Sequence, residues 1–209
     1  MKYVIKLSLF VFGIFLLAVG VVFSSVAGLG IAPPSAPAYA FNYLVNIGPG
    51  NFIIIMNFVY VFIQLVILRT RFKRFQFLQL FFGVILGGFI DFVTPSMQLL
   101  PVNLMMVIIY SLVSVILIAL GVTLIILAEV FYPPLEGMQK IIAEEIGVPL
   151  AKVKIPIDSL HVLLALIVVP FNKEALSVIG IGTVFQALTV GIFVQYFLNK
   201  LSEPIKKVI

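Results

Sequence analysis

Charge is what this chain most lacks. Asp, Glu, Lys and Arg together make up 10% of its 209 residues, against about a quarter in a soluble domain. That is too little to cover a water-facing surface. Cysteine is absent, which removes disulfides, thiolate nucleophiles and Cys-based metal sites and leaves the redox compartment unread. Trp is absent too, so Tyr is the only residue available for an interfacial aromatic belt beyond Phe. There is a single His, and no Walker loop, H-E-x-x-H, G-x-S-x-G or spaced His/Cys/Glu set. The polar residues are scattered rather than gathered at one interface. The chain is therefore not read as an enzyme, and no catalytic residue, metal or cofactor is assigned.

What the chain has is long apolar runs. Spanning a hydrocarbon core takes about 20 apolar residues as a helix. Six runs come close to that requirement: Val4–Ala27, Phe52–Leu68, Phe75–Val93, Leu104–Ala128, Ile157–Val169 and Val178–Leu198. In lipid every backbone amide must be satisfied within the protein, and strict alternation is missing, so these runs are expected as helices rather than barrel strands. The expectation is an all-α polytopic membrane protein with six transmembrane helices. Lys2 and Lys6 precede the first run and Ala38-Tyr39-Ala40 follows it. The run is too long, and too far from that triplet, for a signal peptide, so the first helix is expected to be retained.

Basic residues set the orientation. With the N-terminus inside, twelve of the thirteen Lys and Arg fall on inner segments: Lys2, Lys6, Arg69, Arg71, Lys73, Arg74, Lys140, Lys152, Lys154, Lys200, Lys206 and Lys207. Only Lys173 falls outside. The positive-inside rule then places both termini in the cytoplasm, with a bacterial inner (plasma) membrane as the expected location. The formal net charge of +5 thus points to the bilayer and not to nucleic acid.

The chain also repeats itself. Ala18-Val19-Gly20-Val21 matches Ala119-Leu120-Gly121-Val122. Pro33-Pro34 matches Pro133-Pro134, and each pair precedes a short helical segment, Ala36–Ile47 or Leu135–Ile146. Those segments end at Gly48-Pro49 and Gly147-Val148-Pro149. A short span with an early polar residue follows, Asn57 or Asp158. Phe82-Gly83 through Gly87 to Asp91 then matches Phe185-Gln186 through Gly191 to Gln195. Each copy, about 1–95 and about 104–200, holds three spans. An odd number forces the second copy into the membrane from the other side, giving two inverted-topology three-helix repeats within a single transmembrane domain.

Three stretches carry a family resemblance: Leu29-Gly30-Ile31-Ala32-Pro33, Gly87-Gly88-Phe89-Ile90-Asp91, and Gly180-Ile181-Gly182-Thr183 followed by Gly191. They resemble the YczE/YyaS/YitT-type family of bacterial integral membrane proteins. The resemblance implies a six-helix inner-membrane protein, of a family described either as transporters or as uncharacterised, with no substrate or catalytic residues to carry over. The sequence departs from that pattern at Pro34-Ser35-Ala36 and at Ile192 and Gln195, which argues against an acid-dependent mechanism at those two places.

Polar groups inside a membrane are costly and mark candidate sites. Asp91, Asn57, His161, Gln186 and Gln195 are the candidate substrate-binding or coupling residues, expected to line a cavity between the halves. Asp91 reads either as a proton or cation carrier or as a solvated acid with a nearby donor. Asp158 and His161 share a helix face and read as a proton relay, or Asp158 starts the fifth helix after Pro156. Asn57 and Gln195 serve equally as interhelical hydrogen bonders. Pro33, Pro34, Tyr39 and Asn42 belong to an uncharged segment that reads as a re-entrant gate or as an aromatic anchor. In the counterpart segment Leu135, Met138, Ile141, Ile142 and Ile146 face away from Glu136, Lys140, Glu144 and Glu145, as in an interfacial amphipathic helix. The expected function is secondary transport of a small amphipathic or aromatic solute, with a proton as candidate coupling ion. Two alternatives stay open: the membrane subunit of an ATP-driven uptake system, with an ATPase module as partner, and a non-transporting scaffold. A homo-oligomer is open as well.

Overall fold

A computed structural model describes residues 2–45, 47–97, 103–148 and 150–208. Pro149 and the side chains of Lys206 and Lys207, all used above, lie outside the described residues. Eight α-helices follow one another: α1 (Lys2–Ala27), α2 (Ala36–Val45), α3 (Pro49–Leu68), α4 (Gln79–Val93), α5 (Leu104–Ala128), α6 (Pro134–Ile146), α7 (Leu150–Leu166) and α8 (Ile181–Val208). Short 3₁₀ turns precede α4 and α8. No strand occurs among the described residues.

The helix ends follow from local chemistry. Pro49 and Pro134 sit in the first turns of α3 and α6, where a missing N–H costs nothing. The Asn103 side chain accepts a hydrogen bond from Met106 N and caps α5. Gly147 takes a left-handed conformation, φ +67°, and ends α6.

The centre is α1 packed on α5, flanked by α4 beside α1 and by α8 beside α5. Phe10, Ile14, Ala18 and Val21 form the buried stripe of α1, at helical spacing. Glycine makes this crossing close: a Cβ on Gly121 would lie 2.6 Å from Gly13 O, and one on Gly20 would lie 2.8 Å from Ile118 N. α2 packs against α3 and α7, and α6 packs against the same two helices.

Away from this core the helices are more apolar, not less. Ile55, Phe58, Phe62 and Val66 line the outer face of α3, and Ile181, Val184, Leu188 and Ile192 that of α8. Such bands suit lipid rather than water. Helical segments at Lys2–Ala27, Pro49–Arg71, Arg74–Ser96, Leu104–Ala128 and Lys173–Ile205 are long and apolar enough to cross a membrane. The chain is a multi-pass membrane protein.

The fifth expected span differs. α7 starts at Leu150, seven residues before the expected Ile157, and is 17 residues long. It continues through Pro156 and carries Lys152, Lys154 and Asp158. Asp158 therefore lies within the helix and does not start or cap it. Lys154 Nζ lies 2.7 Å from its carboxylate, one turn earlier. The second span starts earlier than expected: with Pro49-Gly50-Asn51 included, α3 is 20 residues long. In α6 the expected apolar face is buried at Leu135 and Met138, but Ile146 is exposed.

Candidate functional site

The one His of the chain sits at the junction of the two halves. The Nδ1 of His161 lies 2.8 Å from Ile157 O. A carbonyl only accepts, so Nδ1 carries the proton. Nε2 is then the acceptor for the Tyr60 hydroxyl, 2.6 Å away. Both side chains are buried, and the bond ties α3 to α7. One turn earlier on each helix stand Asn57 and Asp158. Asn57 Nδ2 donates back to Ile53 O at 2.7 Å, and its side chain packs where Gly83 of α4 leaves room. Asp158 is held by Lys154 and by a long contact, 3.5 Å, from Gln139 Nε2 of α6.

The other expected site residues lie elsewhere. Asp91 accepts hydrogen bonds from Gly50 N at 3.0 Å and Asn51 Nδ2 at 3.2 Å. It thus meets the Gly50 amide at the start of α3 from the neighbouring α4. Gln186 joins a knot beyond the end of α1: its Nε2 donates to Ser24 Oγ at 2.6 Å and lies 3.3 Å from Gly30 O, while its buried Oε1 has no partner. Gln195 is exposed on α8 and donates to Asn199 Oδ1. The five residues expected to share one cavity are thus distributed over the centre, one end and the outer surface.

Two clefts open at opposite ends of the α1–α5 pair. The larger, about 430 Å³, lies beyond the C-terminus of α5. Its walls include Phe75, Phe131 and Tyr132, its rim Glu129, Lys140 and Glu144, and its floor Gln64 and Gln79. The smaller, about 180 Å³, lies beyond the C-terminus of α1. It is lined by Ser25, Tyr39, Asn42, Tyr43, Thr94 and Ser177 among others, so the expected gate residues Tyr39 and Asn42 do border a cleft. Pro33 is buried beside the start of α2, with Pro34 partly covered. The Tyr39 hydroxyl is buried without a partner.

The small cleft is pinched by backbone. Ile31 N donates to Val178 O at 2.8 Å and Gly182 N to Leu29 O at 2.6 Å. A Cβ on Gly180 or Gly182 would fall 2.5 or 2.8 Å from Leu29 O, so only glycine permits the approach. The corresponding stretches at the other end, 130–132 and 75–79, make no backbone hydrogen bond to each other among the described residues; the large cleft lies between them.

A family model matches residues 4–199, nearly the whole chain. The chain belongs to DUF6198, a family of unknown function. No curated protein and no solved structure matches it. In this DUF6198 chain the residues that sequence reasoning passed over are Tyr60, Gln64, Gln79 and Gln139, all buried. A signal was available for two of them. Ile53, Asn57, Tyr60, Val61 and Gln64 recur at helical spacing and form the buried face of α3.

Proposed function

We propose that the chain is a secondary transporter of a small solute, built from two inverted-topology repeats that exchange conformations about a shared centre. The observation that carries this reading is an exchange of contacts. Gly121 packs on Gly13 and Leu17, and Gly20 packs on Ser114 and Ile118. Adding 101 to 13, 17 and 20 gives 114, 118 and 121, so each contact of one helix recurs with the roles of α1 and α5 exchanged. The same offset relates Asn57 to Asp158 and Tyr60 to His161. The Tyr60–His161 bond therefore joins equivalent positions, as a contact on a two-fold axis must.

The helix packing supports the same exchange. α1 with α4 corresponds to α5 with α8, α2 with α3 to α6 with α7, and α2 with α7 to α6 with α3. With α7 counted as a span, each half has three crossings and the axis lies in the membrane plane. Several lining positions of the two clefts are also related by 101: Ser25 and Ile126, Gly28 and Glu129, Ile31 and Tyr132, Tyr39 and Lys140, Tyr43 and Glu144. One end is pinched and the other open, as alternating access requires. Twelve inner basic residues orient the wide end to the cytoplasm. The likeness to the YczE/YyaS/YitT-type family agrees with this reading.

The test needs no substrate. Cysteines placed at Ser25 and Ile126 report the two clefts through labelling from either side in membrane vesicles. Gly182→Ala forces the Leu29 contact apart and should raise labelling at position 25 while lowering it at 126. Independent changes at the two positions would remove the transporter reading and leave a static scaffold.

A further inference from the structure

We infer that the wide cleft is a binding site for a small neutral molecule carrying a primary or secondary amide, or a lactam, on a flat apolar body. The inference rests on the transporter reading for its role but not for its chemistry. The floor of the cleft is a pair of glutamine amides facing each other. Gln64 Nε2 donates to Gln79 Oε1 at 2.9 Å and to Pro134 O at 2.9 Å. Gln79 Nε2 donates to Gln64 Oε1 at 3.2 Å. Both N–H groups of Gln64 are spent, whereas Gln79 keeps one, and each amide oxygen keeps a lone pair. Gln64 is 0% and Gln79 5% exposed, so Gln79 is the half of the pair that the cleft reaches. A ligand acceptor meets its remaining N–H, and a donor on the same group meets the amide oxygen beside it once a small side-chain shift uncovers that oxygen.

The walls and rim define the rest of the molecule. Phe75, Phe131 and Tyr132 supply apolar, aromatic surface. The three rim charges already have partners: Glu129 pairs with Lys6 at 3.2 Å, and Glu144 with Lys140 at 3.9 Å. Lys140 also lies over the Tyr132 ring, 4.7 Å from its centroid. No unmatched charge waits for an ionic ligand, and an ion seated on the amide floor would lose its hydration without a counter-ion. Glycine at position 137 keeps a further side chain off the floor, since a Cβ there would stand 3.0 Å from Gln79 Oε1. A volume of about 430 Å³ falls in the usual range for small-molecule sites, about 300–1,000 Å³.

The experiment is equilibrium binding of radiolabelled nicotinamide to the purified full-length protein in detergent, with nicotinate and N,N-dimethylnicotinamide as competitors. Nicotinamide should bind. Nicotinate, which exchanges the amide for a charge, and the dimethyl compound, which lacks the donor, should each compete at least about tenfold more weakly. Gln79→Met should weaken nicotinamide by a similar factor. The two competitors test the same point with the protein unaltered, should that variant fail to fold. No binding of nicotinamide, or equal competition by either analogue, overturns the inference. Binding is measured without transport, and cleft labelling at positions 25 and 126 is measured without ligand, so either idea can fail alone.

Discussion

Alanine substitution at the glycines of α1 and α5 tests the central crossing most directly. A Cβ at Gly121 meets backbone on three sides: Gly13 O and Leu17 N at 2.6 Å each, and Leu17 Cα at 3.0 Å. A Cβ at Gly20 meets Ile118 N and Cγ1 at 2.8 Å and Ser114 O at 3.0 Å. Backbone cannot step aside as a flexible side chain does, so the helices must separate or shear. Overpacking of this kind costs about 1–3 kcal/mol, against a gain of up to ~1 kcal/mol from helix propensity. The net loss is up to about 3 kcal/mol, with about 1–2 kcal/mol expected where backbone is met at 2.6–2.8 Å, or roughly 2–8 °C at about 2–4 °C per kcal/mol. Gly88 and Gly191 are helical as well, but an added Cβ there meets nothing within 4 Å. Gly88→Ala and Gly191→Ala should therefore be neutral or slightly stabilising. Thermal unfolding of the four variants in one detergent, followed by size-exclusion chromatography, separates the cases. Because positions 20 and 121 are equivalent under the proposed exchange, their losses should be similar. If Gly121→Ala melts with the parent chain, the close crossing is wrong. If the two variants differ by far more than about 2 kcal/mol, the equivalence is wrong.

Three further outcomes are expected. Asp91→Ala should cost about 1 kcal/mol through the lost cap on α3 while Asp91→Asn, which keeps an acceptor, recovers most of it; a coupling acid would instead lose function in the Asn variant with stability intact. The hydrogen bond from Arg71 holds the Glu145 carboxyl below its ordinary value, so its stabilisation is present above the unfolded carboxylate pKa and is lost as pH falls through the lowered folded one. Melting curves of the parent chain and Glu145→Gln should converge at low pH, and a gap that widens on acidification would refute the pairing. A cysteine at Asn172 should react with an impermeant thiol reagent in intact cells and one at Thr70 should not; the opposite pattern reverses the orientation.

The long apolar helices were legible because their signal is a bulk one: α5 begins and ends where the hydrophobic run does, Leu104–Ala128. α7 was misread at its start because Pro156 and the charges around it look like a boundary. Inside a helix a proline removes a single hydrogen bond, and packing against α2 and α6 holds the turn together. The site was less legible for a related reason. Asp91 and Gln195 stand out in an apolar sequence, yet one caps a neighbouring helix and the other faces outward with Asn199. Sequence gives the cost of a polar residue but not the direction in which it points. Gln64 and Gln79 drew no reading from the sequence, because their pairing depends on α3 and α4 folding back on each other. The pairing of Tyr60 with His161 follows the 101-residue offset that Gly20 with Gly121 and Asn57 with Asp158 share.

The points where the two halves differ are as informative as those where they agree. The match of Phe82-Gly83 with Phe185-Gln186 sets Gln79 opposite Gly182. At Gly182 the chain closes backbone to backbone on Leu29, with no room for a side chain. At Gln79 a full amide side chain occupies the same place and finds its partner in Gln64. Under the proposed exchange the wide end therefore cannot shut by copying the glycine latch, since the side chain that would have to vanish is the floor of the cleft. Closure there must instead bring α6 and the 130–132 stretch down onto whatever rests on the amides. A glycine latch closes an empty end, whereas an amide floor closes best over a molecule that fills its remaining hydrogen bonds. In the proposed transporter, opening the glycine latch would therefore shift the wide end only part-way towards closure, and a ligand that fills the free hydrogen bonds of the amides would carry it further.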